Sequence, residues 1–329
     1  MNKKQSNNTK FRGRKKDSER NFGLGTRSLL RAGRVCAHQS TLAFSTRGTL
    51  AARWAVFEQW VTATHGITKM ETLTPQHVTE YGEHLNTRVE QLELRASTAQ
   101  LYVSAVNSIM RLATEGSWKS ISPTRDCNIP RRKHLPEISK ALLEHEHDHL
   151  MTVVDARVRA LLNLQRFLGL RFKESCLLNA RQALRQARKK GIVIVSDGTK
   201  GGKIRQVPTN EDAIGALAQA SELQSNSRSM IPENISYVDF REECYQVAKM
   251  HKFNFHSERH FYAQRRYREL SGLPAPVTTT VSRKNWPSFA ADYLKVDLTR
   301  AEAIDRAARL ALSRELGHER LEVTRVYIG

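Results

Sequence analysis

No apolar stretch of this 329-residue sequence approaches the ~18 residues that a membrane-spanning helix needs. Its charged first twenty residues lead into no apolar core, so a secretory signal is not expected. Cysteine is scarce. Cys36, Cys127, Cys176 and Cys244 lie far apart and make no C-x-x-C pair, which speaks against structural zinc and a disulfide framework and leaves reduced thiols. No segment repeats at a fixed period, which excludes solenoids and propellers. Negative charge is the largest shortage. Asp plus Glu is 33 against 53 for Lys plus Arg, giving a net charge of +20 and a pI near 10.1. Such an imbalance points to a polyanionic partner, nucleic acid before a membrane surface. The 40% of hydrophobic residues suffices for a core, and the length suits two domains.

The basic side chains crowd the N-terminus, and residues 1–40 read as a flexible arm able to lie on phosphates. Residues 41–118 read as a small all-helical domain. Leu50, Trp54, Phe57 and Trp60 recur at helical spacing, Thr74 and Pro75 form a helix start, and Gly116 is a stop. Residues 119–139 carry prolines and the cluster Arg131, Arg132, Lys133, and read as a basic linker. Residues 140–329 form a larger unit. It is mainly α-helical with one small β-hairpin, Ile192–Val195 and Ile204–Val207, around a Gly-rich turn, and has a polar break near 275–297.

Several clusters in this unit invite chemistry. EHEHDH places His145 and His149 on one helix face, but a metal needs a third ligand, and the cluster reads as an exposed helix end. GTKGGK is one residue short of a phosphate loop, and Ile204 stands where a Ser or Thr should hold magnesium. What survives is a lysine at a hairpin tip. Arg171 and Glu174 stand three apart beside apolar flanks. His256, Arg259 and His260 share a helix face, followed by Arg265 and Arg266. Tyr327 follows Leu316-Gly317-His318 by nine residues and stands two from the last residue given.

Taken in order, these motifs resemble the tyrosine recombinase, or phage integrase, family: Gly-Leu-Arg-x-x-Glu at 169–174, a hairpin lysine in K-G-x-K-x-R-x-V-P at 200–208, His-x-x-Arg-His-x-x-Ala at 256–263, and Leu-Gly-His with its tyrosine at 316–327. The resemblance covers about residues 140–329. Residues 41–118 resemble the family's SAM-like core-binding domain in size, position and composition. Two departures stand out: Glu258 occupies a position where the family usually has leucine, and extra residues lie around 275–300.

The resemblance implies an α+β catalytic domain behind the helical one, closing as a clamp on double-stranded DNA at specific sites. Tyr327 would attack a phosphate and form a 3′-phosphotyrosine. Arg171 and Arg259 would grip phosphate oxygens, Lys200 would protonate the leaving group with Lys203 as runner-up, and His256 would take the tyrosine's proton. His318 would hold the phosphate or the tyrosine, and Glu174 and His260 would give support. Lys203, Arg205, Arg131, Arg132, Lys133, Arg265 and Arg266 would contact DNA. The resemblance implies no cofactor or metal, a monomer when free and a homotetramer on DNA, an optional directionality factor, and a bacterial, cytoplasmic, nucleoid-associated location. It also implies a loosely held terminal segment that lets the tyrosine be gated. The alternatives are a type IB topoisomerase-like relaxase, a catalytically silent DNA-binding relative, and an unrelated basic RNA-binding protein.

Overall fold

The computed structural model describes residues 20–132, 136–318 and 320–329. The basic run of residues 1–19 and the expected DNA contact Lys133 lie outside the described residues. The chain divides into two compact units, Met1–Arg132 and Lys133–Gly329.

The first unit is helical: α1 Leu29–Gln39, α2 Phe44–His65, α3 Pro75–Glu90 and α4 Ala96–Ala113. Leu50, Trp54, Phe57 and Val61 bury one stripe of α2. Thr74 caps α3 through a box closed by His77. The expected arm of residues 1–40 gives way to structure within its length. Ser28 caps α1, and Leu29, Ala32, Cys36 and Ala37 are buried. Trp54 Nε1 donates to the Leu29 carbonyl at 3.1 Å, which fastens α1 to α2. The expected linker also packs here over much of its length. Cys127 and Ile129 are buried, and Asn107 Nδ2 donates to the Ile121 carbonyl at 2.8 Å. Prolines and polar neighbours masked these two apolar anchors.

The second unit is mainly helical around a two-stranded sheet. Its elements in order are α5 Glu144–Val153, α6 Ala156–Leu168, α7 Phe172–Leu177, α8 Ala180–Lys190, β1 Ile192–Val195 and β2 Arg205–Pro208. Then follow α9 Glu211–Gln224, α10 Tyr237–Met250, α11 Phe255–Ser271, α12 Trp286–Leu294, α13 Leu298–Glu315 and α14 Leu321–Ile328. The strands are antiparallel, with Val193 opposite Val207 and Val195 opposite Arg205. Helix α11 runs through the unit and packs on α6, α13 and α14. The stretch expected as a polar break contains α12, whose Trp286 is buried. All four cysteines are free and buried. No helix among the described residues is long and apolar enough to cross a membrane.

Candidate active site

Three arginines from distant parts of the second unit converge on one turn. Helix α6 ends at Gly169, whose φ is +59°; a Cβ there would stand 2.4 Å from the Tyr262 ring, so the Gly-Leu-Arg turn needs glycine twice over. Arg171 then caps α7. Its amide donates to Glu174 Oε2 at 2.7 Å, and its Nη1 donates to Oε1 at 2.8 Å. Arg259 lies in the first turns of α11 and is fully buried. It donates through Nη1 to the Gly169 carbonyl, through Nη2 to the Leu316 carbonyl at 2.6 Å, and through Nε to Tyr327 Oη at 3.2 Å. Arg171 Nη2 reaches the same Leu316 carbonyl at 3.3 Å and His318 Nε2 at 3.4 Å. As acceptor, that His318 nitrogen is unprotonated. Gly317 has a φ of +70°, and a Cβ there would press on Arg205 Cδ at 3.1 Å, which accounts for the glycine of Leu-Gly-His.

The tyrosine is not loosely held, contrary to the sequence expectation. Tyr327 and Ile328 are buried. The Tyr327 ring packs against His260, His256 and His318 at centroid distances of 4.9, 5.7 and 6.1 Å. Gln264 donates to its carbonyl at 3.1 Å. Helix α14 is amphipathic enough to bury this face against α11 and α13.

Arg205 needs correction as a DNA contact. It is buried, donating to both oxygens of Glu174 at 2.8 and 2.7 Å and through Nε to the Glu315 carbonyl at 2.8 Å. It braces the site from below. Arg265 and Arg266 are likewise engaged by acids: Arg265 by Asp212 at 3.2 Å, Arg266 by Glu315 and Glu269 at 3.0 Å each. These partners neutralise much of the charge they would offer to phosphates. Arg132 donates to Gln100 Oε1 at 2.6 Å, and Arg131 is exposed. Lys200 sits in the 3₁₀ turn at the hairpin tip, exposed, and its charge is felt by His318; Lys203 is exposed on the same tip.

The cluster EHEHDH is not simply an exposed helix end. His145 and His149 are exposed, but His147 is buried and donates through Nδ1 to Glu258 Oε1 at 2.6 Å. Arg166 Nη1 donates to the other carboxylate oxygen at 2.7 Å, with its guanidinium over the Phe261 ring. Glu258 is thus the centre of a buried charge network tying α5 and α6 to α11, one residue from Arg259. Lys140 is a further cation that the sequence reading missed. Its charge is felt by both His256 and His260, and its neighbour Ser139 bonds Gln264 at 3.0 Å.

Burial and the cationic neighbours set the protonation of the site. Burial, then Arg259 and Arg171, pushes His256 down to about 4. Burial and the adjacent His256 do the same to His260, at about 4. His318 is held at about 4 by burial, Arg259 and Arg171. Burial alone would push Glu174 up, but the bonds and charge of Arg205, the Arg171 amide and Arg259 hold it at about 2. Arg259 is pushed down by burial to about 10 and stays charged at neutral pH. Three neutral imidazoles therefore surround the phenol at pH 7. Each binds a proton more readily in the unfolded chain, where its pKa is near 6.5. Their stabilising contribution is complete above that value and is lost as the pH falls towards 4. Denaturant unfolding at stepped pH should show stability declining across this window, with proton uptake on unfolding approaching three. Uptake below one proton would contradict the buried neutral cluster.

Comparison with known proteins agrees with this geometry. A family model described as Integrase matches residues 134–265. The fold is similar to that of the Tn1549 transposon integrase in complex with circular intermediate DNA, at 12% identity and a TM-score of 0.56, over 92% of this chain and 96% of that one. It is similar to XerH site-specific recombinase bound to a palindromic difH substrate, at 13% identity and 0.53, over 90% and 79%. It is also similar to a lambda integrase tetramer bound to a Holliday junction, at 14% identity and 0.51, over 85% and 77%. No curated protein matches the chain by sequence.

Proposed function

Because this chain is a tyrosine recombinase of the integrase family, we propose that it cleaves and rejoins double-stranded DNA at specific sites to integrate and excise a mobile element. The observation that carries this reading is the contact of Tyr327 Oη with Arg259 Nε at 3.2 Å, with Arg171 bonded to the same carbonyl as Arg259. Tyr327 Oη attacks the phosphorus, the bond to the 5′ oxygen breaks, and a 3′-phosphotyrosine forms. The phosphodiester energy is kept in the covalent link, so resealing needs no ATP. Charge building on the phosphate oxygens meets the fixed guanidinium donors of Arg171 and Arg259. His256, neutral and stacked near the phenol, takes its proton. His318, bonded to Arg171, orients the phosphate, and His260 packs the ring. Glu174 fixes Arg171, with Arg205 behind it.

The fold neighbours named above are DNA complexes, one of them a tetramer on a Holliday junction. They support duplex DNA as substrate and a tetramer as the working form. The test is a nicked suicide substrate bearing the element's junction. A protein–DNA adduct mapped to Tyr327 is expected, and an adduct at another residue or none at all refutes the reading. Relaxation of supercoils lacking any such junction would instead favour the topoisomerase-like alternative.

Lys200 is proposed as the acid that protonates the leaving 5′ oxygen, an alkoxide in need of a proton. Lys200→Ala should slow cleavage by about 10²- to 10⁴-fold. A substrate with sulfur in place of that oxygen leaves as a thiolate and should restore cleavage. The same pattern from Lys203→Ala, with Lys200→Ala silent, would move the role to Lys203.

A further inference from the structure

Helix α1 carries a row of cations that the proposed chemistry does not use. Arg31, Arg34 and His38 stand at i, i+3 and i+7, all exposed. Arg27, also exposed, extends the row beyond the Ser28 cap. A guanidinium is tied to each end. Arg20 donates to the Arg27 carbonyl at 3.1 Å, and Arg47 Nη1 donates to the His38 carbonyl at 3.0 Å. Arg31, Arg34 and His38 line a recess of about 610 Å³ with Gly25 and Thr26. Glu58 of α2 feels Arg34 electrostatically, yet among the described residues no acid forms an ion pair with Arg27, Arg31 or Arg34.

The other face of α1 decides what this row can meet. Basic amphipathic helices lie on membranes through their apolar side. Here that side, Leu29, Ala32, Cys36 and Ala37, is buried in the first unit's core. Only the cationic rim is left to a partner. From residue 31 to 38 the row spans about 10 Å at 1.5 Å per residue. That matches about three phosphate steps of 3.4 Å along one strand. Guanidinium groups grip phosphates strongly whatever the base.

We infer that the exposed face of α1 is a DNA-backbone grip on the first unit, formed by Arg27, Arg31 and Arg34 with Arg20 and Arg47 at its ends. The choice of DNA as the polyanion rests on the recombinase reading, but the grip is tested apart from cleavage. It positions the duplex without reading sequence.

The test uses the full chain with Arg31→Ala/Arg34→Ala and a labelled duplex of arbitrary sequence, titrated across salt concentrations. Each lost phosphate contact lowers the slope of log affinity against log salt by about 0.9. The double variant should therefore lose about 1.8 from the slope, with an unchanged melting temperature, because both side chains are exposed. Arg31→Lys/Arg34→Lys should keep the slope, and Arg31→Glu/Arg34→Glu should weaken binding further than alanine. An unchanged slope overturns the inference, as does loss of self-association in place of DNA binding, which would mark a protein-contact face. If the wild-type chain forms the Tyr327 adduct while the slope is unmoved, the grip alone falls. A wild-type chain that binds no duplex removes both readings.

Discussion

Tyr327→Phe is expected to fold and hold DNA yet give no covalent adduct with a suicide substrate, a loss of at least about 10³-fold in cleavage, since the fixed donors act only on a nucleophile that is present. The phenyl ring keeps its packing against His260 and His256. What goes is the acceptor 3.2 Å from Arg259 Nε. A buried donor left without its partner costs about 1–3 kcal/mol. A bound phosphate can take the vacated place. The variant should accordingly melt below wild type when free and gain more than wild type from added DNA. Denaturing gels and paired melting curves read both effects. Adduct at the wild-type level would place the nucleophile elsewhere.

Glu258→Leu, which installs the residue more usual in the family, should destabilise this chain by about 3–5 kcal/mol, because it strands a buried guanidinium and a buried imidazole. Arg166 and Glu258 are both almost wholly shielded from solvent, and their contact is 2.7 Å. Adding Arg166→Met should recover most of the loss, because a buried ion pair replaced on both sides by apolar groups of similar volume is often neutral or stabilising. Denaturant midpoints of the single and double variants decide this. A double variant no better than the single would show that the carboxylate is needed by His147 and not by Arg166.

The residues that meet the phosphate were legible because phosphoryl chemistry demands particular side chains in short motifs. Arg171, His256, Arg259, His318 and Tyr327 are all brought together around one turn. Their supports were harder to read because each partner lies far away in sequence: Arg205 meets Glu174 31 residues off, and His147 meets Glu258 111 residues off. Arg205 had a signal all the same. In β2 it stands two residues from buried Val207 and so shares its inward face, whereas starting the strand at Ile204 suggested the opposite. Helix α1 was hidden by its own charge. Leu29, Ala32, Cys36 and Ala37 follow the helical period, but the dense basic run before them drew the whole segment into an arm. Lys140 had no sequence signal, since only the fold carries the segment after the linker past α11.

The arginine framework leans on main-chain oxygens: Gly169 and Leu316 for Arg259, Leu316 again for Arg171, and Glu315 for Arg205. A peptide oxygen is the same whatever residue supplies it. Side-chain drift at 315 and 316 therefore leaves the two phosphate-facing cations at their spacing so long as the bend survives. The exposure to damage is transferred to the chain's path: a proline or an inserted residue between 313 and 318 would shift several positive groups together, and inactivation would come as one event instead of by degrees.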